Sequence, residues 1–229
     1  MSNKYPNISP YAYCAWNPVK LVDPDGKEIH LTFFGKNTCK ALNKIINEGL
    51  GGQFKAAYSK NKDGSYSLSL QATEGGGNKD KLTDQQMAFY EVLSKCIHDK
   101  KTIAKISVVY GSRKVHIGNY IENTIDVADM LQFDDLGKGP ATKQGKLVHE
   151  FVEQYEKASS GGAKGEYTNY MDNHNTAIYS EDYVNGSSRK DIPAGLGCVH
   201  QAYTDNKTGK TTNYYYSTRN AIINVRKDK

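Results

Sequence analysis

The stretch KLVHEFVEQYEKASSGG, residues 146–162, decides how the chain folds. Leu147, Val148, Phe151 and Val152 recur at the three- and four-residue spacing of a helix face, so a helix is expected over residues 141–158. The run Ser159-Ser160-Gly161-Gly162 stops it. A helix this apolar belongs at the centre of a domain rather than on its surface. Yet the same stretch carries His149, Glu150 and Glu153. Positions i and i+4 stand one above the other, so His149 and Glu153 can point at a single atom. Buried there, both need partners, because an unpaired buried carboxylate is costly.

Working outward from this helix, alternation of Ile29, Leu31 and Phe33 predicts a strand over residues 28–34. A short helix follows to residue 47, capped by Asn37 or Thr38. Segments 54–59 and 65–72 flank Asp63-Gly64 and read as a β-hairpin. Thr83 with Gln86 forms a capping box that opens a helix reaching about residue 99. Strands are expected over 103–110 and 115–125, a short helix or turn over 125–133, and a break at 137–140. Beyond the central helix come a second helix over 167–184, closed by Asn185-Gly186, and a tail of three strands (199–204, 211–217, 221–226). Together these read as an α+β domain of mixed helices and antiparallel sheet.

The 229 residues allow one large domain, or a smaller one with an appendage. Mean hydropathy is −0.69, and much of the apolar content is tyrosine, with 17 Tyr against 6 Phe and 1 Trp. Many aromatic rings therefore carry a hydroxyl that must find a partner or reach water. The net charge of +5 comes almost wholly from lysine, since Arg113, Arg189, Arg219 and Arg226 are the only arginines. Such basicity makes a solvated surface, and nucleic-acid reading, which favours the arginine fork, is not expected. The cysteines Cys14, Cys39, Cys96 and Cys198 are widely spaced and form no CxxC pair, which argues against a zinc ribbon. No run is long and apolar enough for a membrane helix, and residues 1–10 carry no signal-peptide pattern.

The chemistry concentrates in HExxE, residues 149–153. Zinc peptidases place two ligands four residues apart on a helix in HExxH, with a glutamate beside the first that activates water. Here Glu153 takes the place of the second histidine. The third ligand is expected from the following helix, where His174 has apolar neighbours Met171, Ala177 and Ile178 at helical spacing and so faces inward. Glu181, two turns on, is expected to partner His174. Two imidazoles and one carboxylate make a ligand set of catalytic zinc sites, with Glu150 as general base. The blander alternative is a solvated face or an ion-pair cluster. Tyr214 to Tyr216 or His200 could stabilise an oxyanion, although three tyrosines in a row also suit a strand covering a sheet. His30, His98 and His116 are expected to be structural or on the surface. Cys198 with His200 offers a nucleophile pair without an orienting acid, and Gly195-Leu196-Gly197 reads as a loop.

Residues 5–27 differ from the rest, holding four of the six prolines and ending in Asp23-Pro24-Asp25-Gly26. The run NISPYAYCAWNPVKLVDPDG (7–26) closely resembles the string SPYxYxxNNPVxxxDPDG that ends the RHS repeat-associated core, with Trp16 where that string has its first Asn. The resemblance implies that 1–27 is the tail of a β-rich shell and that 28–229 is a C-terminal passenger. LVHEFVEQYEK and HNTAIYSEDYVNG resemble the metallopeptidase-like passengers of polymorphic toxins. That implies a zincin-like arrangement around a central motif helix, Zn²⁺ held by His149, Glu153 and His174, a protein or peptide substrate and a bacterial protein exported with its parent. A cognate immunity protein is a possible partner. The alternatives are an inactive zincin-like binding or structural domain and a nuclease toxin.

Overall fold

A computed structural model describes residues 29–98 and 102–228. The leader over 1–27, with Cys14, lies outside the described residues. Among the described residues the chain runs β1 (Ile29–Phe33), α1 (Thr38–Gly49), β2 (Phe54–Lys60), β3 (Tyr66–Ala72), α2 (Asp84–His98), β4 (Ala104–Val109), β5 (Gly118–Asn119), β6 (Thr124–Asp126), α3 (Val127–Met130), α4 (Lys143–Ser159), α5 (Tyr170–Asn185), β7 (Ser187–Ile192), β8 (Cys198–Asp205), β9 (Thr211–Ser217) and β10 (Asn224–Lys227). The fold is mixed α+β, with two sheets. None of these helices is long and apolar enough to cross a membrane. Cys39, Cys96 and Cys198 are free thiols.

The local signals act as expected at several element ends. Thr83 and Gln86 exchange reciprocal bonds, Gln86 N–H to Thr83 Oγ1 at 3.3 Å and Thr83 N–H to Gln86 Oε1 at 3.0 Å, and start α2. Asp63 Oδ1 accepts from Ser65 N–H at 3.0 Å, and Gly64 takes φ 85°, so Asp-Gly turns the β2–β3 hairpin.

The first sheet has six strands in the order β2-β3-β1-β4-β6-β5. It corrects the expectation of purely antiparallel pairing, because β1 pairs parallel with β4, and β4 parallel with β6. The chain passes through α1, the hairpin and α2 between β1 and β4, and such a crossover is what parallel neighbours require. Ile29, Leu31, Ala104, Ile106 and Val108 cover one face of this sheet and are buried against the helices. The strand expected over 115–125 is two short pieces, β5 and β6, joined through a turn. Just before it Ile117 takes φ 64°, a left-handed conformation that costs a side-chain-bearing residue about 1–2 kcal/mol.

The second sheet is an antiparallel meander, β10-β9-β8-β7. β7 was not expected, because its sequence SSRKDI is polar and charged. It becomes a strand by pairing with β8 from Ser187–Asp205 to Ile192–His200. The inner face of this sheet presents Gln201, Tyr203, Tyr214 and Tyr216, all buried.

Helix α4 touches both sheets' sides of the core, and 14 of its 17 residues are buried, as its apolar face predicted. Its start is fixed by Thr142, whose Oγ1 accepts from Gly145 N–H at 3.0 Å and donates to Asn185 Oδ1 at 2.6 Å. One side chain thus caps α4 and ties it to the end of α5. Thr142→Ala is expected to cost about 1–3 kcal/mol, the cap together with a buried hydrogen bond. Urea unfolding checks this, and a change below about 0.5 kcal/mol would contradict it.

Candidate metal centre

Helix α4 turns a polar stripe toward α5 and the second sheet. On it His149 Nε2 lies 3.6 Å from Glu153 Oε1, as the four-residue spacing requires. From α5, His174 Nδ1 approaches the same Glu153 oxygen to 2.5 Å. The two imidazoles meet edge to face with centroids 4.9 Å apart. One donor atom from each of His149, Glu153 and His174 lies within 4.8 Å of the others, so this buried group can hold a metal ion. All three expected ligands are brought together. The inward stripe of α5, however, is Asn173, Ala177, Glu181 and Val184, while Met171 is exposed. His174 sits at the edge of that stripe, open to a cleft.

Glu181 is placed differently from the expectation. It partners His149, with Nδ1 3.1 Å from Glu181 Oε2, rather than His174. The cause is the path of the chain. α5 runs back along α4, so His174 meets Glu153 near one end and Glu181 meets Lys146 and His149 a turn or two earlier. With Nδ1–H donated to Glu181, Nε2, which faces Glu153 and the cleft, is the nitrogen that would give up its proton to bind a metal.

Around Glu181 the structure assembles residues that the sequence reading did not single out. Lys146 Nζ lies 2.8 Å from Glu181 Oε1 and also donates to Gln201 Oε1 at 2.8 Å and Tyr203 Oη at 2.5 Å. Arg189 Nη1 reaches Glu181 Oε2 at 2.8 Å, and its fork grips both Asp191 oxygens at 2.9 Å. Lys146 precedes His149 by three residues, so its place on this face was legible from spacing. Arg189 was not, because it depends on β7 pairing with β8.

Counted over the side chains, four carboxylates (Glu150, Glu153, Glu181, Asp191) surround two cations, Arg189 and Lys146, the latter lowered by burial to about 8. The pKa shifts answer this imbalance. Burial works to raise Glu181, but the charges of Lys146 and Arg189 hold it well below its ordinary value. Burial, then the neighbouring Glu153, pushes Glu150 up. Burial lowers His149, but hydrogen bonds with Glu153 and Glu181 outweigh it and lift the imidazole to about 9. Protons on Glu150 and His149 thus supply the missing positive charge, and a divalent cation beside Glu153 fits the same deficit.

The site opens into a cleft of about 240 Å³. It is lined by His149, Glu150 and Glu153 from α4, Tyr170 and His174 from α5, Arg189, Gln201 and Tyr216 from the second sheet, and the turn at 116–120. Glu150 is buried, yet its carboxylate makes no hydrogen bond or ion pair among the described residues. His116, expected to be structural or on the surface, lines the cleft. Of the three consecutive tyrosines, Tyr214 is tied to Asp134 at 2.6 Å, Tyr215 stacks on His200 outside, and Tyr216 alone reaches the cleft. Two-residue alternation along β9 turns Tyr215 outward, and the bond to Asp134 takes Tyr214 away from the cleft that Tyr216 lines. His200 is occupied by Asn213 Oδ1 at 2.8 Å, Cys198 is exposed, and among the described residues no carboxylate orients them as a nucleophile pair. Gly195-Leu196-Gly197 is a loop with Leu196 fully in solvent. His98 bonds to Ser94 O at 2.9 Å on its own helix, and His30 lies in β1, remote from the cleft lining.

A wider groove of about 860 Å³ runs between the start of α2 and the 137–140 loop, but none of the candidate residues lines it. The chain matches no protein-family model, no curated protein and no solved structure.

Two outcomes follow from this electrostatic arrangement. Glu181 is lowered by folding from its ordinary 4.5, so its contribution is complete above that pH and fades as pH falls through the lower folded value. Glu181→Gln should therefore cost about 3–5 kcal/mol at pH 7, leaving Lys146 and Arg189 underpaired, and progressively less below about pH 4. Urea unfolding at several pH values measures it, and an equal cost at all pH values would contradict the account. Metal uptake at pH 7 should release roughly one to two protons per ion, read by calorimetry in buffers of different ionisation enthalpy, and no net release would contradict it.

Proposed function

We propose that this domain is a zinc-dependent hydrolase of the metallopeptidase-like, zincin-like kind, acting on protein or peptide. The observation that carries the reading is the convergence of His149 and Glu153 from α4 with His174 from α5 beside an uncommitted Glu150 in an open cleft. A central motif helix, with the third donor from the next helix, is the arrangement that the sequence resemblance implied. The donor set, two imidazoles and one carboxylate beside an open cleft, fits zinc. Held there, zinc would supply Lewis acidity to a water and to the substrate carbonyl.

The chain's own residues do the rest. Glu150 takes the proton of the attacking water and delivers it to the leaving amine. Its raised pKa suits a base and acid near neutral pH, and no hydrogen bond must be broken first. Tyr216 lines the same cleft with its hydroxyl in no hydrogen bond among the described residues, and burial keeps it protonated. It is the donor for the developing oxyanion. Glu181, kept ionised by Lys146 and Arg189, holds His149 in its binding tautomer.

The resemblance of residues 7–26 to the end of the RHS core supports the wider setting. In it, residues 28–229 are the passenger of a larger bacterial parent, exported with it and restrained by an immunity protein. A nuclease fits less well, because among the described residues the cleft's two cations are committed, Arg189 to Glu181 and Asp191 and Lys146 to Glu181, Gln201 and Tyr203. A second reading, an inactive domain stabilised by its polar cluster, is favoured by the direct His174–Glu153 contact at 2.5 Å.

One experiment separates these readings. The purified protein should hold one zinc per chain, and zinc at 100 times its Kd should raise Tm by roughly 5–10 °C. Glu150→Gln should keep the zinc and lose about 10²–10⁴-fold in kcat for peptide hydrolysis. His174→Ala should lose both. Zinc without turnover in the parent would favour the inactive domain, and an unchanged Tm with no stoichiometric zinc would sink the metal site.

A further inference from the structure

Glu150 poses a problem of position. A general base must be held in place, yet this carboxylate has no hydrogen bond or ion pair among the described residues. What touches it is backbone. A Cβ placed on Gly118 would lie 1.6 Å from Glu150 Oε2 and 2.1 Å from Cδ, so the Cα of Gly118 packs directly against the carboxylate. Such a contact restrains the group and leaves its lone pairs free. Gly118 is required here for space, not for a special φ.

Strand β5 has two residues, too few to fix a wall by themselves. The wall is fixed one residue earlier. Ile117, in its left-handed conformation, is held at both ends: its N–H donates to Asp129 Oδ2 at 3.0 Å and its carbonyl accepts from Asp126 N–H at 2.7 Å. Its side chain is anchored in the core. A β-branched residue stays at positive φ only where its surroundings over-determine it. Asp129 is fully buried on α3, and its other oxygen, Oδ1, accepts from Ile223 N–H at 2.8 Å. One carboxylate therefore clamps the turn and the approach to β10 together. Gly118 N–H, bonded to His116 O at 2.8 Å, closes the turn.

We propose that the 116–118 turn, clamped by Asp129, is the positioning device for Glu150, with Gly118 the contact point and Asp129 the positioning residue. This rests on the reading of Glu150 as the base, and its test is chosen to stand apart from that reading. In Gly118→Ala the added methyl meets the end of a flexible side chain, so the variant should fold, bind one zinc and melt close to the parent. Its crystal structure should show the Glu150 carboxylate displaced, and kcat should fall at least 100-fold with KM within about threefold. Asp129→Asn leaves one of the two N–H groups facing a donor. It should accelerate amide exchange at Ile117 and Gly118 at least tenfold with zinc still bound, and kcat should fall in parallel. An unmoved Glu150 carboxylate in G118A, or unchanged exchange at Ile117 in D129N, overturns the proposal. If the parent hydrolyses no peptide, the hydrolase reading fails alone, and the place of the Glu150 carboxylate in G118A still decides the positioning claim: displaced supports it, unmoved refutes it.

Discussion

Glu181 is a carboxylate with no contact with solvent, and the structure around it is arranged so that it can stay charged. Lys146 from α4 and Arg189 from β7 supply the opposite charge, Tyr203 from β8 donates at 2.6 Å, and His149 donates at 3.1 Å. An unpaired ion at such a depth would cost several kcal/mol, so the four elements cannot separate without exposing or stranding a charge. The interaction therefore fixes how α4, α5 and the second sheet meet. That meeting makes the cleft.

The same constraint divides the site into two halves. Lys146, Arg189, Glu181 and Asp191 balance one another and form a rigid background. Glu150 and Glu153 are the surplus, two negative charges on one helix face, held beside two imidazoles. A surplus of that kind is answered either by protons or by a divalent cation, which is why the same geometry serves acid–base chemistry and metal binding. Glu153 is bound up with both histidines, whereas Glu150 is held only by packing. The two carboxylates, three residues apart on one helix, thus have opposite pKa directions and separate roles.

Much of this was legible in the sequence because it depends on helical spacing. The burial of Leu147, Val148, Phe151 and Val152, the approach of His149 to Glu153, and the capping of α2 by Thr83 and Gln86 are all local. The position of His174 was reached for partly wrong reasons, since Met171 faces solvent and the inward stripe begins at Asn173. The partner of Glu181 was misassigned because the order in which α5 passes α4 is not a local property. β7 was hidden altogether, since Ser187–Ile192 has no strand pattern of its own: it pairs with β8, and its Arg189 reaches the buried Glu181.

The sequence by itself determined the element types other than β7, the central helix and the three donor residues, because period 3.6, period 2 and capping chemistry act within a few residues. Tertiary structure alone decided the parallel pairing of β4 with β1 and with β6, the choice of Tyr216 over its two neighbours, and the entry of Arg189, His116 and Gly118 into the cleft. Each of these depends on contacts between residues tens of positions apart. Local propensity carries no information about such contacts, and buried charge and close packing settle them only when the whole chain has folded.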